Sequence, residues 1–366
     1  MINLYNCKFD NRLITKTKKI FSSGNIYTGN QVKYLEKSIS KLFNKKKEIV
    51  ALSDLSNAMY LLLKSCNIKK NDEILVASFN CLSSTASIKN LGAKAVWVDL
   101  CDDYPQMSLK ECQRLITKKT KALILYHVAG YPANSLDFKK FCKKHNIIFI
   151  EDLNNSLGGK INNYNVGDHS EYSLLSFYPN RQLASINGGA IVCSKSSTAS
   201  RLRRLRKYGI NKNRFRNKLG EIKKITLDEM GYFYEMSEIN AAILNYRVKN
   251  FKKKIESVRK NFLFYQKNLQ SNELLQKIHV PSYIRPNCWV YFIRSKNSSH
   301  IIKILKKNNI ESSKLHYPNH LYKTFNNYKK KLANTNNFYK EVVAIPCGWW
   351  LKKKELVKIT KVLNSL

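Results

Sequence analysis

The chain has 366 residues, enough for a substantial buried core and for two or three domains. A hydrophobic content of 43% with 11% aromatic residues excludes an intrinsically disordered chain. The formal charge of +40 is spread evenly, in runs such as Lys45-Lys46-Lys47, Lys252-Lys253-Lys254 and Lys352-Lys353-Lys354, and no nucleic-acid-binding motif accompanies it. Biased composition and solvated faces account for such a distribution; an electrostatic funnel for an anionic substrate is the functional alternative.

In chain order, short apolar runs alternate with helical patterns, which predicts an α/β fold around a parallel sheet. Ile74-Leu75-Val76, Ala95 to Val98, Ala122 to Tyr126 and Ile147 to Ile150 read as strands that are apolar throughout, as strands covered on both faces should be. Between the last two, Leu136, Phe138, Phe141 and Cys142 recur at helical spacing, and Asn146 suits the left-handed turn that ends such a helix. Near Ser237 the texture changes. A long helical pattern runs from Ile239 through Tyr246 toward Phe262, followed by a β-rich piece at Trp289 to Ile293, a helix at His300 to Lys307 and a last helix from Lys353. The predicted division is a large α/β domain over 1–245 and a smaller α+β domain over 246–366.

No apolar run reaches the roughly 20 residues of a membrane span, and the N-terminus lacks the layout of a signal peptide. A cytoplasmic location is expected. The nine cysteines, at Cys7, Cys66, Cys81, Cys101, Cys112, Cys142, Cys193, Cys288 and Cys347, form no C-x-x-C pair. They predict reduced thiols and no metal site.

Glu151-Asp152 closes the fourth of those strands. Ligands of open parallel sheets sit beyond the carboxyl ends of strands, although an acid there can equally cap the following turn. The residues beyond Asp152 carry a more specific signal: Asn155 to Gly158, Asn165-Val166-Gly167, Leu174-Leu175-Ser176-Phe177-Tyr178-Pro179-Asn180-Arg181, then Asn187-Gly188-Gly189-Ala190. This series resembles the DegT/DnrJ/EryC1/StrS family of sugar aminotransferases, whose consensus runs E-D-A-A-Q-A-H-G, V-G, F-S-F-Y-P-T-K-N-L and G-E-G-G-A. Similar landmarks span nearly the whole chain: Gly24 to Gly29 with Thr28, Asp72 to Val76, Gly92 to Asp99, His127 to Ala133, Leu205 to Gly209, Met236 to Leu244, His316-Tyr317-Pro318 and Ile345-Pro346.

The resemblance implies a three-layer sandwich of the aspartate aminotransferase type (fold type I) with a smaller C-terminal α+β domain, and a dimer with sites shared across its interface. It implies pyridoxal phosphate (PLP), or its amine form pyridoxamine phosphate (PMP), as cofactor and a nucleotide-linked sugar as substrate. Polysaccharide or modified-sugar synthesis would be the setting. Asp152 matches the aspartate that pairs with the cofactor's ring nitrogen, Ser176 and Ser56 match phosphate contacts, Asn155 matches the glutamine beside the ring, and Cys81 stands where an aromatic residue stacks on it.

The departures fall at the same place. Arg181 occupies the position of the lysine that forms the Schiff base, and a guanidinium, with a pKa above about 12, does not shed its proton near neutrality. The S-G-T turn that approaches the phosphate reads Asp54-Leu55-Ser56, adding bulk and a repelling charge. Glu235 stands where the consensus has arginine. The expectation is a family member that holds PLP or PMP non-covalently while acting on a nucleotide-linked sugar. The alternatives are a non-catalytic partner, as a homodimer or paired with an active homologue, and a PLP-independent protein that binds a sugar nucleotide through Arg181 and Arg206. Trp289 and Tyr291 are expected in the core and His127 in a structural role; for Trp349 and Trp350 an ordinary packing role comes first, with lining the interdomain cleft as the functional alternative.

Overall fold

The apolar runs that read as buried strands pair side by side. A computed structural model describes the chain except residues 7, 28, 212–214, 216, 218, 225 and 326–330; Cys7 and Thr28 therefore lie outside the described residues. Helices α1 (Asn11–Ser22) and α2 (Gln31–Ser40) precede β1 (Glu48–Leu52), and α3 (Leu55–Ser65) leads to β2 (Glu73–Ala77). Next come α4 (Leu82–Asn90), β3 (Lys94–Val98), α5 (Leu109–Leu115), β4 (Thr120–Tyr126), α6 (Ser135–Lys144) and β5 (Ile148–Asp152). A short hairpin, β6 (Lys160–Ile161) and β7 (Tyr164–Asn165), precedes β8 (Tyr172–Ser176), β9 (Gly189–Cys193) and α7 (Ser196–Leu205).

These strands build a seven-stranded sheet in the order β1-β9-β8-β5-β4-β2-β3. It is parallel from β8 to β3, and β9 runs antiparallel to both of its neighbours. Alternate residues of each strand feed two cores. Val50, Ile74, Val76, Ile124, Ile150 and Ile191 pack against α3, α4 and α7, while Ile49, Leu75, Leu123, Leu125, Phe149 and Val192 belong to the core beneath α2 and α6. Helices on both faces explain why the strands carry no polar alternation. Asn146, after α6, takes φ 52°, the left-handed turn its sequence suggested.

Strand β1 is an edge, and an open edge invites pairing with another chain. Its outward backbone groups are taken instead: the Ala51 amide by Glu36, the Ala51 carbonyl by Arg206, the Ile49 carbonyl by Arg203, and the Ser53 amide by the Tyr234 carbonyl.

The single long helix expected from Ile239 is two helices, α8 (Glu238–Val248) and α9 (Phe251–Asn268). No glycine or proline marks the break. Asn250 adopts a turn conformation at φ −103°, ψ 7°, which lets α8 lie on α1 and α2 while α9 turns to meet α12 (Lys353–Asn364). The apolar periodicity is uninterrupted because both helices bury one face. Alongside lie α10 (Ser298–Lys307), α11 (Ala333–Glu341) and a sheet of β10 (Gln276–Lys277), β12 (Tyr291–Arg294) and β13 (Val342–Ile345). Strand β11 (Ile284–Arg285) instead joins β6. Ile2 bridges to Ile310, so the first residues pack on the C-terminal third.

Candidate active-site cleft

Parallel register gathers the site. Tyr126, at the end of β4, lies beside Asp152 at the end of β5, and Asp152 beside Leu174 of β8. Ser176 comes two residues later, opposite Gly189. Asp152 is fully buried. It accepts hydrogen bonds from the Asn154 amide (3.0 Å) and side chain (3.3 Å). Burial raises its carboxyl above the usual range, against the opposing effects of Ser84, Asn154 and the charge of Arg181. Glu151, its neighbour, points to the other face. There burial, which would raise its carboxyl, is outweighed by hydrogen bonds from His127, Ser170 and Ser135, and the carboxyl is held low. His127 has both nitrogens engaged: Nδ1 accepts from the Ala133 amide at 2.9 Å, so the proton is on Nε2, 3.2 Å from Glu151 Oε1.

A polar chain runs along the cleft wall. The Tyr126 hydroxyl accepts from Asn155 Nδ2 at 2.6 Å and from the Ala129 amide at 3.4 Å. Its own proton therefore goes to His316 Nε2, 3.0 Å away. Burial first, then the charge of Arg181, pushes His316 down to about 3, so it is a neutral acceptor and no acid near neutrality. Residues on either side of this contact hold unusual backbone. Ala129 has φ 53° and Leu315 φ 70°, and a branched residue in that region is strained.

Arg181 stands across from this chain, with 8% of its surface exposed. Its guanidinium lies 4.5 Å from the centre of the Trp289 ring, an arrangement that the ring's quadrupole favours. Tyr5 stacks on Trp289 at 4.8 Å, and the Trp289 indole N–H is fixed to the Asn180 carbonyl at 2.7 Å. Charge interactions of Arg181 reach Tyr5, Tyr126, Asp152 and His316, and Cys81 acts on both tyrosines.

The expected phosphate end is differently built. Asp54 caps α3, accepting from the Asn57 amide at 2.8 Å and the Asn57 side chain at 2.7 Å. A carboxylate thus already occupies the helix N-terminus that would attract an anion. Ser56 sits in that first turn, its carbonyl bonded by Ser87. The Ser176 hydroxyl accepts a long bond from the Tyr178 amide, 3.4 Å. Glu235 pairs with Lys207 at 2.9 Å. Cys81 precedes α4 and offers no ring to stack on a cofactor. Among the described residues, no lysine is drawn into the cleft by a hydrogen bond or ring contact. The residues do not fit PLP as a covalently held group; only the acceptor for a ring N–H, Asp152, is built and buried as that cofactor needs.

Arg206 is not part of this cleft. It is tied to Glu36 (2.6 Å) and the Ala51 carbonyl (2.7 Å) beside a cavity of about 1120 Å³ along the β1 edge, lined by Lys33, Lys37, Lys41, Arg203 and Lys207 among others. The Glu36 and Glu48 carboxylates that line it already pair with Arg203 and Arg206. Trp349 and Trp350 also lie elsewhere, under Lys254 and against the Asn3 carbonyl. Sequence reasoning missed Tyr5, Ser84 and Tyr126 as wall residues and read Trp289 as core. The indole is buried, but its face serves Arg181. Tyr126 and His316 lay within or beside motifs already singled out; Tyr5 carried no signal at all.

The fold is that of PLP fold-type I proteins. Residues 8–364 match the DegT/DnrJ/EryC1/StrS aminotransferase family, and the chain belongs to that family. It is 24% identical over 330 residues to the GDP-perosamine synthase of Vibrio cholerae, covering 87% of this chain and 86% of that protein. A UDP-N-acetyl-3-dehydro-alpha-D-glucosamine 3-aminotransferase of Acidithiobacillus ferrooxidans is 28% identical over 233 residues, 63% of this chain and 60% of that one. The sugar aminotransferase CalS13 of Micromonospora echinospora superimposes with a TM-score of 0.93 at 20% identity, covering all of both chains. Among the described residues, no helix is long and apolar enough to cross a membrane.

Proposed function

We propose that this chain binds a nucleotide-linked sugar in the cleft between Asp152 and Trp289, and that it does not carry out lysine-dependent transamination. The observation that carries this reading is Arg181, buried on Trp289 at the position that the sequence resemblance assigns to the Schiff-base lysine. The substrate class is supported by the nucleotide sugars in the names of the two curated relatives. A protein of this kind works as a binding or partner subunit, alone as a dimer or beside an active homologue.

Asp152 favours a second reading. A buried carboxylate of this placement would pair with the protonated ring nitrogen of non-covalently held PLP or PMP, a cofactor that serves as an electron sink. One absorbance experiment separates the two: purified protein with pyridoxal phosphate, before and after borohydride reduction, alongside Arg181→Lys. The first reading expects no cofactor retained by the wild type. Retained cofactor without a reducible adduct would support the second. A reducible adduct on the wild type would overturn both.

A further inference from the structure

Arg181 is a buried cation with most of its hydrogen-bonding capacity unmet. Among the described residues, the only bond of its side chain is from Nη1 to Asn180 Oδ1 at 2.6 Å. Nε is buried and has no partner, and no carboxylate lies within ion-pair distance of the guanidinium among the described residues. A guanidinium carries five N–H donors in a rigid fork. Asp152, the nearest acid in its electrostatic environment, is committed to Asn154 and Ser84. His316 is neutral and adds no negative charge. Removing such a group from water without a counter-ion is costly, so the site as folded is incomplete.

The missing partner has a definable shape. Trp289 is pinned by Tyr5 and by the Asn180 carbonyl, so the guanidinium it supports presents a fork of fixed orientation. A planar oxyanion with two oxygens matches that fork, as carboxylates do. Charge favours a single negative charge. The cleft already holds Asp152, so a carboxylate neutralises Arg181, whereas a phosphate dianion would add a surplus charge beside a buried acid. A second orphan is held by Tyr126, on which the charge of Arg181 acts. Asn155 Oδ1 is buried and unpartnered while its amide nitrogen is held by Tyr126, which leaves an acceptor awaiting a hydroxyl or N–H donor.

We infer that the sugar taken by this cleft carries a carboxylate, as a uronic acid does, with its two oxygens on Arg181 and a ring substituent donating to Asn155. This rests on the reading that the cleft binds a nucleotide-linked sugar, and the test separates the two. Dissociation constants would be measured by calorimetry for UDP-glucuronate and UDP-glucose, with their GDP and dTDP counterparts, and for inorganic phosphate. The proteins are the wild type, Arg181→Gln and Arg181→Lys, each checked for an unchanged circular dichroism spectrum and melting midpoint. The expected result is that a uronate binds the wild type at least about tenfold more tightly than the neutral sugar on the same nucleotide. Arg181→Gln should abolish the difference by weakening uronate binding far more than neutral-sugar binding, and Arg181→Lys should restore part of it. Equal binding of acid and neutral forms would overturn the carboxylate assignment and leave sugar-nucleotide binding standing. Binding of none of the sugar nucleotides would overturn both. Phosphate binding that depends on Arg181, without a uronate preference, would assign the fork to a phosphate and overturn the inference.

Discussion

At the residue scale, His316 joins the cleft's chemistry to the stability of the fold. Its neutral, partly buried ring accepts from Tyr126, and loss of solvation lowers its pKa from 6.5 to about 3. Below pH 6.5 the unfolded chain takes up a proton that the folded chain refuses until about pH 3. Stability from this residue is therefore full above pH 6.5 and declines as pH falls through that window, by roughly 1.4 kcal/mol per pH unit. His316→Gln, which keeps an acceptor without a titrating ring, should lower stability at pH 7 yet flatten its fall toward pH 4. Urea denaturation across that range checks the slope; an unchanged slope in the variant would assign the acid sensitivity elsewhere.

Single elements pose a different problem, because their exposed edges and tight joints must be closed by side chains from distant parts of the chain. Glu36 on α2 joins Arg203 and Arg206 near the end of α7 across the β1 edge, with Glu36 and Arg206 side chains only 10% and 13% exposed. Breaking a mostly buried pair strands the remaining charges. Glu36→Gln should cost about 2–4 kcal/mol and free the Ala51 edge, read as a lower urea midpoint and concentration-dependent light scattering. The junction of β9 with α3 is as tight. A Cβ on Gly189 would lie 2.4 Å from the Asp54 carbonyl oxygen, against backbone that cannot swing away. Gly189→Ala should destabilise by about 1–3 kcal/mol with an unchanged denaturant slope, and should displace the α3 cap beside Ser56.

For the whole molecule, the charge of +40 dominates. It is what remains after every carboxylate is counted, including those paired as Arg201 with Glu229 and Arg294 with Glu341, and like charges line the cavity beside β1. Self-repulsion of this kind destabilises a compact state and is screened by salt, the Debye length being about 10 Å at 0.1 M. The melting midpoint should rise by several degrees between about 20 and 300 mM sodium chloride. A midpoint that falls over this range would mean that specific ion pairs outweigh the repulsion.

Much of this architecture is written in local pattern. Apolar runs without alternation specify strands covered on both faces, because each residue must be buried whichever way it points, and Asn146 marks a helix end through its tolerance of positive φ. The series from Glu151 to Gly189 and its neighbours placed the family and named Asp152, Arg181, Ser176 and Asn155 as candidate site positions, since those residues follow the ends of neighbouring strands at the family's spacing. Other features depend on groups far apart in the chain. The turn at Asn250 interrupts no periodicity, so only the different partners of α8 and α9 reveal it. Asp54 is a helix cap because Asn57 lies one turn on, and only the tertiary structure brings its backbone against β9 at Gly189. Tyr5, Trp289 and Arg181 are strangers in sequence whose stacking exists only after the N-terminus packs on the C-terminal third. The sequence by itself determined the sheet and the family and singled out Arg181; the tertiary structure alone decided that this residue would be buried, held on an indole and left without a counter-ion among the described residues, because desolvation and pairing depend on what surrounds a charge in space and not on its neighbours in the chain.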